Sequence, residues 1–181
     1  RRVDVELLSQ RGFGQVIGLS TETQSIQLIP LSRDDEGILE EATLPSLKVS
    51  STDEELILTI HTPESPLEVL GHLRSSSLDE GLHFNWLPVE GLNTESVWQV
   101  DAFNQDEQVS LSLTLPWREL RSSILGPELY LSVNVKRSDG QIFGISDAKR
   151  SPYAPHWGGP LSSLRLTRFP VAALSDDRAQ P

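Results

Sequence analysis

Apolar and polar side chains alternate along most of this chain with a period of two rather than 3.6. Val3, Val5 and Leu7 alternate with Asp4 and Glu6. Leu111, Leu113 and Leu115 alternate with serine and threonine until Pro116 removes a ladder donor at the Leu115-Pro116-Trp117 corner. A period of two places successive side chains on opposite faces, the pattern of a half-buried strand. The same reading predicts strands at Val16–Leu19, Ile26–Ile29, Leu47–Val49, Leu56–Ile60, His83–Trp86, Val97–Val100, Val109–Leu115, Leu129–Val135, Ile142–Ile145 and Leu164–Leu166. Leu47–Val49 and Leu56–Ile60 flank a polar turn and are expected to pair as a hairpin. Ser138-Asp139-Gly140 is the turn that closes the Leu129–Val135 strand.

Leu67 to Arg74 is ambiguous. Its leucine spacing permits a helical turn, whereas Val69 and Gly71 favour a strand. Helical turns are expected only near Gly37–Thr43 and Trp117–Ser123. Roughly ten to twelve short strands, with turn signals about every 8–12 residues, predict an all-β antiparallel sandwich of jelly-roll or immunoglobulin-like kind. Residues 1–43 are read as N-terminal extension strands packed on that sandwich. Residues 44–170 form the sandwich itself, and residues 171–181 a flexible tail.

Composition narrows the function. The 181 residues carry a formal net charge of −11. An acidic chain lacks the basic face that nucleic acid or an anionic membrane requires. No apolar run approaches the ~20 residues that span a bilayer, so no direct membrane insertion is expected. There is no cysteine, which removes thiol nucleophiles, disulfides and thiolate metal sites. Methionine is absent too, even at position 1, as expected of a processed form or an excised piece.

Three segments carry a family resemblance. They are the hairpin Leu47 to Ile60 (LKVSSTDEELILTI), the Leu115-Pro116-Trp117 corner, and Pro155 to Leu166 (PHWGGPLSSLRL). Over Leu44 to Phe169 the chain resembles carbohydrate-binding modules of family 9 and their DOMON-like β-sandwich relatives. The resemblance implies a non-catalytic sugar-binding domain of an extracytoplasmic bacterial protein, periplasmic, secreted or on the cell surface. Family strands carry acids that serve calcium sites and sugar hydrogen bonds. Here the corresponding strands read His61-Thr62-Pro63 and His83-Phe84-Asn85-Trp86. The haem ligation of DOMON-like relatives needs a methionine, which this chain does not have.

Sugar recognition needs a flat aromatic face for C–H groups and polar side chains for hydroxyls. The loop Ser146 to Pro160 (SDAKRSPYAPHWGGP) is rich in both. Trp157, Tyr153 and Trp86 are the aromatic candidates, with His156, Arg150 and Asn85 as hydrogen-bonding partners. Trp117 and Trp98 are expected in the core. The histidines at 61, 72, 83 and 156 show no metal-ligand spacing. The carboxylates cluster in turns such as Asp34-Asp35-Glu36 and Asp53-Glu54-Glu55, where solvation accounts for them. No pair has the arrangement of a glycosidase, and no catalytic residue or obligatory cofactor is expected. Calcium, if bound, would take an irregular site in the acidic turns. The rival expectation is a structural or protein-interaction sandwich of a larger envelope or membrane-associated assembly, with a protein partner and no free sugar ligand.

Overall fold

A computed structural model describes residues 1–4, 16–31, 38–75, 81–93, 96–119, 128–145 and 164–167. Its strands are β1 (Arg2–Asp4), β2 (Val16–Gly18), β3 (Gln24–Gln27), β4 (Ile29–Pro30), β5 (Ile38–Glu40), β6 (Ser46–Ser51), β7 (Glu55–Thr62) and β8 (Pro66–Ser75). They continue as β9 (Leu82–Leu87), β10 (Gly91–Leu92), β11 (Gln99–Gln105), β12 (Gln108–Pro116), β13 (Glu128–Arg137), β14 (Ile142–Gly144) and β15 (Leu164–Thr167). Among the described residues the two helical turns are short 3-10 turns, Glu41–Thr43 and Trp117–Glu119, within the two regions where sequence allowed them. No helix among them is long and apolar enough to cross a membrane.

Two main sheets face each other, as the period-two pattern predicts. Among the described residues, one has five strands in the order β11-β12-β7-β6-β3. The other has eight: β10-β9-β8-β13-β14-β4, with β15 beside β13 and β2 beside β15. The β2–β15 pair is parallel; the others are antiparallel. β1 and β5 form a separate two-stranded pair. The inward residues of both sheets make one core, including Leu47, Leu58, Ile60, Leu111, Leu113, Val69, Leu131, Val133 and Leu166. Burial of these apolar side chains is the main stabilising term.

Three local outcomes refine the sequence reading. Leu67–Arg74 is strand β8, because β13 and β9 pair with it on both sides and give its backbone no reason to coil. Ile26–Ile29 is two strands rather than one. Ile26 pairs into the five-stranded sheet and Ile29 into the eight-stranded one, with Leu28 N donating to Pro45 O at 2.9 Å between them. The chain thus crosses the sandwich at Leu28, which explains an apolar run with no clean alternation. Pro116 ends β12 opposite Glu55, and Trp117 Nε1 then donates to Thr52 O at 3.0 Å. The half-buried Trp117 ring thereby ties the corner to the β6–β7 turn.

Candidate functional site

The outer face of the eight-stranded sheet carries a polar cluster that includes Asn85, one of the predicted site residues. Val69, Leu73, Phe84, Trp86, Leu131 and Val133 point inward and are buried. Alternation therefore sends Leu70, His72, Arg74, His83, Asn85, Tyr130, Ser132 and Asn134 to the opposite face. Register aligns them in rows across β13, β8 and β9. Ser132 stands beside His72, which stands beside His83; Asn134, Leu70 and Asn85 form the next row. Tyr130 lies between Arg74 and Arg165.

Direct contacts knit these rows together. The His72 and His83 rings stack in parallel, with centroids 4.0 Å apart and planes 5° apart. The Arg74 guanidinium lies 5.8 Å from the Tyr130 ring centroid, within cation–π range. Asn85 N donates to Asn93 Oδ1 at 3.2 Å, and Asn93 N donates back to Asn85 O at 3.0 Å. That exchange, made through the Asn85 backbone, fixes the β9–β10 turn. Hydrogen-bonding capacity is left over. His72 Nε2, Arg74 Nε and Nη2, and Asn85 Oδ1 are all shielded and carry no hydrogen bond among the described residues. Shielded polar atoms are normally satisfied, so a cluster of such atoms marks a place where a polar ligand would be stabilised.

Electrostatics favour the neutral form of His72. Burial pushes the His72 pKa down to about 4, and the neighbouring His83 and then Arg74 add to the shift. In the unfolded chain this imidazole titrates near its ordinary value of 6.5. Both states are neutral above that value. Between pH 6.5 and about 4 only the unfolded chain takes up the proton, so stability falls as pH falls. We expect the thermal midpoint to drop on acidification from pH 7 to 5, and His72→Gln to flatten that part of the profile. An unchanged slope in His72→Gln would remove His72 from the acid response.

The neighbours of β13 differ on its two sides. β8 occupies one side of β13 throughout its length. On the other side, β14 pairs with Val135–Lys136 and β15 with Glu128–Leu131. Trp157, Tyr153, His156 and Arg150, four of the predicted site residues, lie outside the described residues.

Asn85 is on the outer face, half-buried, as its alternation with Phe84 and Trp86 requires. Trp86 is a correction. It is 3% exposed and packed in the core beside Val69, so it offers no face to a sugar. The choice between the two faces of β9 was open in the sequence. Burial of two large rings, Phe84 and Trp86, outweighs burial of His83 and Asn85, and the strand turns accordingly. Trp98 is buried as expected, edge-on to Phe84 at 5.1 Å. Sequence reasoning missed His72, Arg74 and Tyr130. Their only signal was shared parity on strands whose register was not yet known. Among the described residues no three His, Asp or Glu side chains gather as a metal site.

No family and no curated protein matches this chain by sequence. Solved structures do match by shape. A carbohydrate-binding module of family 9 from Caldicellulosiruptor kristjanssonii in complex with cellotriose overlaps with a TM-score of 0.56 at 10% identity, covering 88% of this chain and 96% of that one. A structure described as a family 9 module from the same organism, in complex with glucose, gives 0.54 at 10% identity, covering 87% and 98%. This all-β sandwich therefore has the fold of the family 9 carbohydrate-binding modules.

Proposed function

We propose that this chain is a non-catalytic carbohydrate-binding module of an extracytoplasmic protein. Its site is the outer face around His72, His83 and Asn85, completed by residues 146–160. The observation that carries the reading is the cluster of shielded, unspent polar atoms on His72, Arg74 and Asn85. The fold is shared with modules solved with cellotriose and with glucose, which supports the same reading. In this arrangement Trp157 and Tyr153 stack on the sugar ring. Arg150, His156 and Asn85 exchange hydrogen bonds with its hydroxyls.

Titration with a glycan panel that includes cello-oligosaccharides, followed by tryptophan fluorescence with and without calcium, tests this. Saturable quenching by a defined sugar is expected. Trp157→Ala and Tyr153→Ala should weaken binding about tenfold or more, the loss of an aromatic anchor worth ~1.4 kcal/mol or above. Trp86→Phe should leave affinity unchanged, because Trp86 is internal. If both loop variants bind as the parent does, the loop is not the site. A folded protein inert to every glycan would favour the second reading, a protein-interaction sandwich. The exposed strand β11, the last strand of the five-stranded sheet among the described residues, is the observation on that side.

A further inference from the structure

The edge of the five-stranded sheet is built differently from the rest of the molecule. β11 pairs with β12 through seven consecutive residues, Gln99 to Gln105, without a bulge. Its other edge hydrogen-bonds to no strand among the described residues. Every residue of β11 except Val100 is exposed, including Ala102 on the face that meets the core elsewhere. Phe103 is 64% exposed, the only exposed aromatic side chain among the described residues. Natural sheets blunt such edges with lysine, proline, bulges or covering segments. Gln99-Val100-Asp101-Ala102-Phe103-Asn104-Gln105 contains no lysine, arginine or proline, and Asp101 is its one charge. The closing turn, with Asp106 and Glu107 at φ of 50° and 68°, sets the hairpin register tightly.

We propose that β11 pairs antiparallel with β11 of a second copy of this chain, joining two five-stranded sheets across a two-fold axis at Ala102. That register brings no two like charges opposite each other. Gln99 meets Gln105 of the partner, Val100 meets Asn104, and Asp101 meets Phe103. No carboxylate faces another, although each chain carries a net charge of −11. A shift of two residues toward the N-terminus would put Asp101 opposite Asp101 and is disfavoured. In the centred register the two Phe103 rings become diagonal neighbours about 7–8 Å apart on one face, within reach of each other. A dimer of this kind would hold two copies of the outer-face site, whichever ligand that site takes.

The chain has no cysteine, so single cysteines report the register directly. Ala102→Cys places two thiols on the axis, where paired Cα atoms are about 4.5–5.5 Å apart and can be bridged. Gln105→Cys places them about 20 Å apart, at ~3.4 Å per residue. The wild-type chain at about 100 μM is expected to show twice the monomer mass by light scattering. Ala102→Cys should oxidise to a covalent dimer much faster than Gln105→Cys. Ala102→Asp should return the protein to monomer with its circular dichroism unchanged, because that side chain is exposed in the monomer. A monomeric wild type, or equal cross-linking at 102 and 105, overturns the proposal and leaves the edge to a different partner. Glycan titration of the monomeric Ala102→Asp variant reads the sugar site separately, so the two proposals fail independently.

Discussion

Gly71→Ala is expected to cost about 3 kcal/mol of stability or more, although it adds one methyl group. Gly71 lies on β8 directly opposite Phe84 on β9, facing the core. The Phe84 ring rests across the bare Cα, and a Cβ there would overlap Cε1, Cζ and Cδ1 of that ring. The ring has little room to retreat. It is 1% exposed and meets Trp98 edge-on, with centroids 5.1 Å apart and planes at 67°. Overpacking of this kind costs about 1–3 kcal/mol when neighbours adjust. Displacing Phe84 from its packing approaches the ~3–5 kcal/mol of a Phe-to-Ala deletion. Urea unfolding measures the effect. Adding Phe84→Leu should recover part of the loss, because the shorter side chain removes the overlap. Independent additivity of the two changes would mean that the Gly71–Phe84 contact is not the cause.

Arg137→Ala is expected to lower stability by about 2–3 kcal/mol, or roughly 5–10 °C in thermal midpoint for a chain of this size. The Arg137 side chain is 13% exposed, yet it gathers several partners. Its Nη2 donates to Gln141 Oε1 at 2.6 Å and to Asp139 Oδ2 at 3.3 Å. Its Nη1 lies 3.9 Å from Glu64 Oε2 and donates to Thr43 O at 3.4 Å. The guanidinium also stands 4.6 Å from the Phe143 ring centroid. One planar cation thereby holds the β13–β14 turn, the β7–β8 turn and the Glu41–Thr43 turn together. Removal takes away the charged hydrogen bonds shared by the three turns and uncovers the buried Phe143 ring, a packing loss as well as a charge loss. Arg137→Lys should recover little, because an ammonium cannot serve carbonyl, amide and carboxylate partners in one plane. A Lys variant as stable as the parent would show that charge alone suffices.

The outer-face cluster shows how far reading the chain reaches toward function. Placing His83 and Asn85 on one side of β9, opposite Phe84 and Trp86, needs only alternation. Which side is outward is a comparison of burial energies. Two aromatic rings against an imidazole and an amide decide it. That His83 stacks on His72 rather than another side chain depends on the β8–β9 register, a property of neither strand alone. Leu28 makes the same point within the fold. Its apolar neighbours mark a buried segment, but the switch between sheets at that residue needs Pro45 and β6 on one side and β14 on the other.

By itself the sequence determined the class of this protein, because period-two alternation and turn residues are local properties of the chain. It likewise showed that the chain offers no thiol and no apolar run of spanning length, because those depend on composition. The tertiary structure alone decided which aromatic rings are internal and, among the described residues, which polar atoms are left unspent and which strand edge is unpaired. These depend on register and sheet order, which arise from pairings between residues far apart in the chain. A one-residue slip would have exchanged the faces of every strand involved.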